Sequence, residues 1–199
     1  MHSMTESATT REGRRRETSY RISACAQVLT EDRGLDGFTM EELAESAGVS
    51  RRTLFNYFPS KIDAVLGDVP ELSVEGLGRF RARGAGSNLV HDLRELAGEL
   101  LDDPRLNRED AARARRVLLG NPRLLSAAHD RFLVMTANIV EEIRARDGAA
   151  FDARGTQVAI RLLCALFDAA LDSFLSDPDE QNLAQAYDDV LGAARQLLT

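Results

Sequence analysis

Arg51 and Arg52 open the stretch "RRTLFNYF", directly after a serine that can cap a helix. An arginine there can donate two hydrogen bonds to O6 and N7 of one guanine, a fit that lysine does not match. The positive end of the helix dipole attracts phosphate at the same terminus. That dipole disfavours Arg in a first turn, so two in succession ask for a partner. The chain carries a net charge of -7, yet from Ser46 to Ile62 it has no acidic residue while holding Arg51, Arg52 and Lys61. A local positive footprint on an acidic body is what a nucleic-acid reader needs, since the acidic remainder limits non-specific sticking. The competing reading is that both arginines are merely solvated.

The elements that must hold these side chains are written locally. A first helix is expected over about Arg14–Asp32, with Tyr20, Ile22, Ala26 and Leu29 at helical spacing and Gly34 as its stop. "TMEELAESAG" has both ends marked: Thr39 caps, Glu42 completes a capping box, and Gly48 ends the helix at positive φ. Ser50 caps the next helix, in which Leu54 and Phe58 share the inward face while Phe55, Asn56 and Tyr57 are expected outward. Pro59 stops it. Ser60 and Asp63 open a fourth helix. A helix, a very short Gly turn and a second helix form a helix-turn-helix, whose second helix can enter a major groove.

These residues carry a family likeness. Residues 17–66, with "FTMEELAESAGVSRRTLFNYFPSKIDAVL" at their centre, resemble the DNA-binding domain of the TetR family of bacterial transcriptional regulators. The family pattern is met by Thr39, Leu43, Ala44, Ala47, Gly48, Val49, Ser50, Thr53, Leu54, Phe55, Tyr57, Phe58 and Lys61. The resemblance implies that Thr39 touches a phosphate, that Arg51, Arg52 and Thr53 face the major groove, and that Tyr57 and Lys61 contact phosphates. Phe55 stands where Tyr is common; its ring either packs on a thymine methyl or sugar or serves plain packing. Glu41 would repel the backbone and is expected to serve the helix N-terminus instead.

The remainder matches the family in architecture alone. Residues 1–13 read as a disordered, basic-flanked arm, 14–67 as the helix-turn-helix domain, and 68–199 as a helical effector-binding and dimerisation domain. The expected fold is all-α with about nine helices. Residues 67–87, rich in glycine, read as an irregular connector between two domains, with room for a short helix that carries Leu77 and Phe80. "TQVAIRLLCALFDAALDSFL" is apolar around most of its circumference, so a second subunit is expected to cover it. The last helix, from Asp179, carries the expected dimer stripe Leu183, Tyr187, Val190, Leu191 and Ala194. The remaining helices would enclose a pocket for a small apolar effector. Its candidate residues are Phe80, Leu96, Leu100, Phe132, Met135, Ile139, Cys164 and Phe167, with Asn138 and Asp168 as polar groups that a ligand could satisfy. Each of these is otherwise ordinary core or rim.

Several classes are excluded. No nucleophile elbow, phosphate-binding glycine loop, metal-ligand spacing or paired acid and base is present, so no enzyme and no cofactor is expected. Cys25 and Cys164 make no metal-like pattern with His2, His91 or His129 and read as reduced thiols. No apolar run reaches the roughly 20 residues of a membrane span. "MHSMTESATTREGRRR" lacks the core of a signal peptide, so a cytoplasmic location is expected, with either Met1 or Met4 as the natural start. The leading expectation is a homodimeric repressor that binds a pseudo-palindromic double-stranded operator and is released by an effector. The alternative is a helical ligand binder whose helix-turn-helix no longer reads DNA.

Overall fold

A computed structural model describes residues 2–68, 72–101, 107–177 and 182–198, with side chains from residue 13 onward except those of residues 99, 100 and 198. Among the described residues there are ten α-helices and no strand. They are α1 (His2–Arg33), α2 (Met40–Ser46), α3 (Arg51–Tyr57), α4 (Lys61–Leu66), α5 (Val74–Arg83), α6 (Leu89–Leu101), α7 (Arg108–Leu119), α8 (Pro122–Asp147), α9 (Ala153–Ser176) and α10 (Leu183–Leu198). The count is close to the expected nine or so, and the tenth is α5, the short helix that carries Leu77 and Phe80 inside the glycine-rich connector. Ser73 caps that helix, its Oγ accepting from the Gly76 N–H at 2.8 Å, and Phe80 anchors it in the core. One good cap and one buried aromatic outweigh the glycines. Helix α1 begins at His2, not near Arg14. The expected start of the last helix, Asp179, lies outside the described residues.

The chain divides into two compact units, Met1–Val69 with Glu109–Asp130, and Pro70–Arg108 with Arg131–Thr199. The first unit is more than the expected domain of residues 14–67. Its core joins Ile22, Ala26, Leu35, Phe38, Leu43, Leu54, Phe58, Ala64 and Val65 to Val117 of α7 and Leu124 of α8. Leu124 is fully buried there. Polar ties follow the same route: the Tyr20 hydroxyl donates to Asp110, Arg116 Nε to Glu31 at 2.9 Å, and Arg123 Nη1 to Asp36 at 3.0 Å. Helix α8 enters this unit through Pro122 at its first position, with the Asn121 side chain accepting from Arg123 N at 3.0 Å.

The second unit is built on α9 and α10, which pack along one another, with α5, α6 and the later part of α8. Phe80, Leu93, Leu96, Ile143, Ala159 and Ile160 form one core. Leu166, Ala170 and Phe174 of α9 and Leu183, Ala186, Tyr187 and Leu191 of α10 are buried as well. Arg94 of α6 makes a bidentate bond to Asp188 of α10, through Nε at 2.7 Å and through Nη2. A charged cluster sits inside: Asp92 accepts from Arg83 Nη1 at 2.7 Å, from Arg146 Nη1 at 2.9 Å and from the Ser87 hydroxyl. Arg146 also donates to Asp147 at 2.6 Å and lies 4.5 Å over the Phe80 ring. This pins α5, α6 and the end of α8 together.

Candidate nucleic-acid interface

Both ends of α2 are set by bonds that span three to five residues. The Thr39 hydroxyl accepts from Glu42 N at 3.1 Å, and Glu42 Oε2 accepts from Thr39 N at 2.7 Å, a complete capping box. The Thr39 backbone bond, first among several, holds the Glu42 carboxyl below its ordinary value. At the other end Gly48 N donates to Glu45 O and Val49 N to Ala44 O. This Schellman closure needs the left-handed φ of +63° that Gly48 supplies. Two residues later Ser50 caps α3, its Oγ accepting from Thr53 N at 3.0 Å. The short turn therefore rigidly relates α2 to α3.

Helix α3 buries Leu54 completely, and Phe58 follows it into the core. Arg51, Arg52, Phe55 and Asn56 are exposed together on the opposite side. Two expected outward residues are held differently. Tyr57 is half-buried against the core, with the Arg15 guanidinium of α1 5.9 Å from its ring centre. Thr53 is also half-buried, its hydroxyl 2.8 Å from that of Ser50. Lys61 turns back: its ammonium donates to the Phe38 carbonyl at 2.9 Å and lies 5.0 Å over the Phe38 ring. A lysine opening a helix is disfavoured by the dipole, and this long-range partner offsets that. Thr39 Oγ1 is shared between Glu42 N and the Glu42 carboxylate.

Glu41 stands in the first turn of α2, as expected, and has a further partner: its Oε1 lies 2.9 Å from Arg51 Nε. The same guanidinium lies 5.6 Å from the centre of the Phe55 ring. Arg51 is thus held on two sides, by a carboxylate of α2 and a ring of its own helix. Nothing local announces the pair, because its partners are ten positions apart across a turn.

The expected effector residues divide. Phe80 and Leu96 are buried core, Ile139 and Cys164 pack against that core, and Phe132 and Met135 are half-buried on α8. Burial pushes the Cys164 thiol up, and burial likewise pushes the Tyr187 hydroxyl, 3.4 Å from the Leu163 carbonyl, up to about 12. Asn138, Asp168 and Phe167 are exposed in the protomer rather than interior. A packed helix turns only about one stripe inward, and Asn138 and Asp168 fall outside it. The Leu100 side chain lies outside the described residues. Of the expected dimer stripe, Leu183, Tyr187 and Leu191 are buried within the protomer, and Val190 and Ala194 are half-buried.

Comparison with known proteins bears on the first unit. Residues 22–64 match the family model for bacterial regulatory proteins of the tetR family. The HTH-type transcriptional regulator EthR of Mycobacterium tuberculosis is 51% identical over 45 residues, 23% of this chain and 20% of that protein. The EthR of Mycobacterium bovis gives the same figures. The match therefore spans about a fifth of the length of these relatives. A solved structure described as a tetR-family transcriptional regulator from Mesorhizobium loti is 18% identical over 92% of this chain and 98% of its own, with a TM-score of 0.48. Thermus thermophilus FadR, a TetR-family repressor in complex with lauroyl-CoA, is 24% identical over 87% of this chain and 91% of its own, with a TM-score of 0.38.

Proposed function

We propose that this chain, which residues 22–64 place in the tetR family of bacterial regulatory proteins, is a homodimeric repressor released from its operator by a small effector. DNA reading is carried by one observation: the rigidly capped α3 exposes Arg51 and Arg52 in its first turn, inside a segment free of acids from Ser46 to Ile62. Arg51 and Arg52 read base edges, while Thr39, Tyr57 and Lys61 serve the phosphate side of the interface. Because Lys61 and Tyr57 are also tied into the head, they act partly by holding α3 in place. The operator requires a compartment that holds the chromosome, the cytoplasm.

A second copy is favoured by α9, which leaves two large apolar side chains, Val158 and Phe167, exposed in the protomer. Twofold symmetry then makes the operator pseudo-palindromic, with half-sites about 34–36 Å apart. The half-buried Phe132, Met135 and Cys164 favour an apolar effector in the second unit. Such an effector weakens operator binding only by its preference for the released form, and operator weakens effector binding by the same factor. The test is selection from a random-duplex pool, repeated across salt concentrations. A pseudo-palindrome should be enriched, with affinity falling steeply as salt rises. Enrichment of no sequence would leave the alternative, a ligand binder with a silent helix-turn-helix.

A further inference from the structure

Glu41 places a negative charge beside an arginine that the reading above assigns to base contacts. An exposed pair of this kind adds little to stability, so its consequence lies in what it does to Arg51. We infer that Glu41 is a positioning residue that makes Arg51 a guanine reader instead of a phosphate binder; this rests on the DNA-reading role proposed above. A guanidinium can meet a two-acceptor partner side-on, through Nε and one terminal nitrogen, or end-on, through both terminal nitrogens. Glu41 lies 2.9 Å from Nε and occupies the side-on edge. The Phe55 ring, 5.6 Å from the guanidinium carbon, flanks the group from its own helix. The end-on edge keeps the geometry for O6 and N7 of guanine. A phosphate approaching Arg51 meets the carboxylate as well and is repelled, whereas a neutral base edge is not. The pair thus lowers attraction for arbitrary duplex while leaving hydrogen-bond readout in place, and the ratio between operator and non-operator DNA rises. It also gives Phe55, which is 41% exposed, a reason to be aromatic.

The test compares wild type, Glu41→Ala, Glu41→Gln, Arg51→Ala and the Glu41→Ala/Arg51→Ala double variant. Each is titrated with the duplex that the wild type enriches from a random pool and with a non-operator duplex, at several salt concentrations. Glu41→Ala and Glu41→Gln should tighten non-operator binding and steepen its salt slope by about 0.9, the value for one more phosphate neutralised. Discrimination at one base pair should fall about ten-fold in both. Arg51→Ala should lose discrimination at that same base pair, and the double variant should be no worse than Arg51→Ala there. If both Glu41 variants tighten every sequence equally with base discrimination unchanged, Glu41 is only a repelling charge and the inference fails. A wild type that enriches no sequence and shows no salt-dependent binding would overturn the DNA reading and this inference together.

Discussion

Replacing Asp92 by Asn keeps the shape of the buried cluster in the second unit and removes its one shared negative charge. The side chains of Asp92 and Arg146 are each 1% exposed, so neither can return to water without opening the core. Taking one partner from such a pair costs about 3–5 kcal/mol. The lower end applies, at about 3 kcal/mol, because Arg146 keeps Asp147 at 2.6 Å and Arg83 is partly exposed. Burial raises the Asp92 pKa, but the hydrogen bonds of Arg83 and Ser87 and the charges of Arg83 and Arg146 outweigh it and hold it below its ordinary value. A folded-state pKa below the unfolded one, about 3.9, makes the contribution complete above that pH. It is lost as pH falls through the lower folded value. The difference between wild type and Asp92→Asn should therefore be full at pH 6 and shrink on acidification below about pH 4. Urea denaturation followed by far-ultraviolet circular dichroism measures it. The double change Asp92→Leu with Arg146→Met should be milder than the single one, since the fully buried pair is replaced by apolar groups of similar volume, with Asp147 left without Arg146 as the remaining cost. A cost under about 1 kcal/mol for Asp92→Asn, well below the range for a buried pair, would refute the reasoning. So would a cost that does not change between pH 6 and pH 3.

Leu124→Ala should destabilise the head by about 2–5 kcal/mol and weaken DNA binding, although residue 124 lies far along the chain from α3. Urea denaturation beside a DNA titration checks this, and a cost below that range would show that residues 109–130 are not integral to the head. Gly48→Ala should cost about 1–2 kcal/mol through strain at φ +63° alone, since no atom lies within 4 Å of an added Cβ; thermal melting reads the loss. Leu191→Asp should unfold the second unit instead of yielding folded monomers, because it buries an unpaired carboxylate. Circular dichroism beside light scattering separates the two outcomes.

The helix-turn-helix was legible because its signals are local. Thr39 with Glu42, Gly48, Ser50, Pro59, and Ser60 with Asp63 act over about five residues or fewer, so adjacency in sequence is adjacency in space. The exposure of Arg51 and Arg52 followed from the burial of Leu54 on a short helix. What sequence reading missed spans long separations. Periodicity states that a helix has an apolar face but not what covers it. Leu183, Tyr187 and Leu191 could face a partner or their own chain, and tertiary packing chose their own chain. Val117 and Leu124 could belong to either unit, and the head took them. Glu41 beside Arg51 and Lys61 on the Phe38 carbonyl are likewise products of the fold. A charged side chain takes the partner that folding brings near, and that partner need not be a neighbour in the chain.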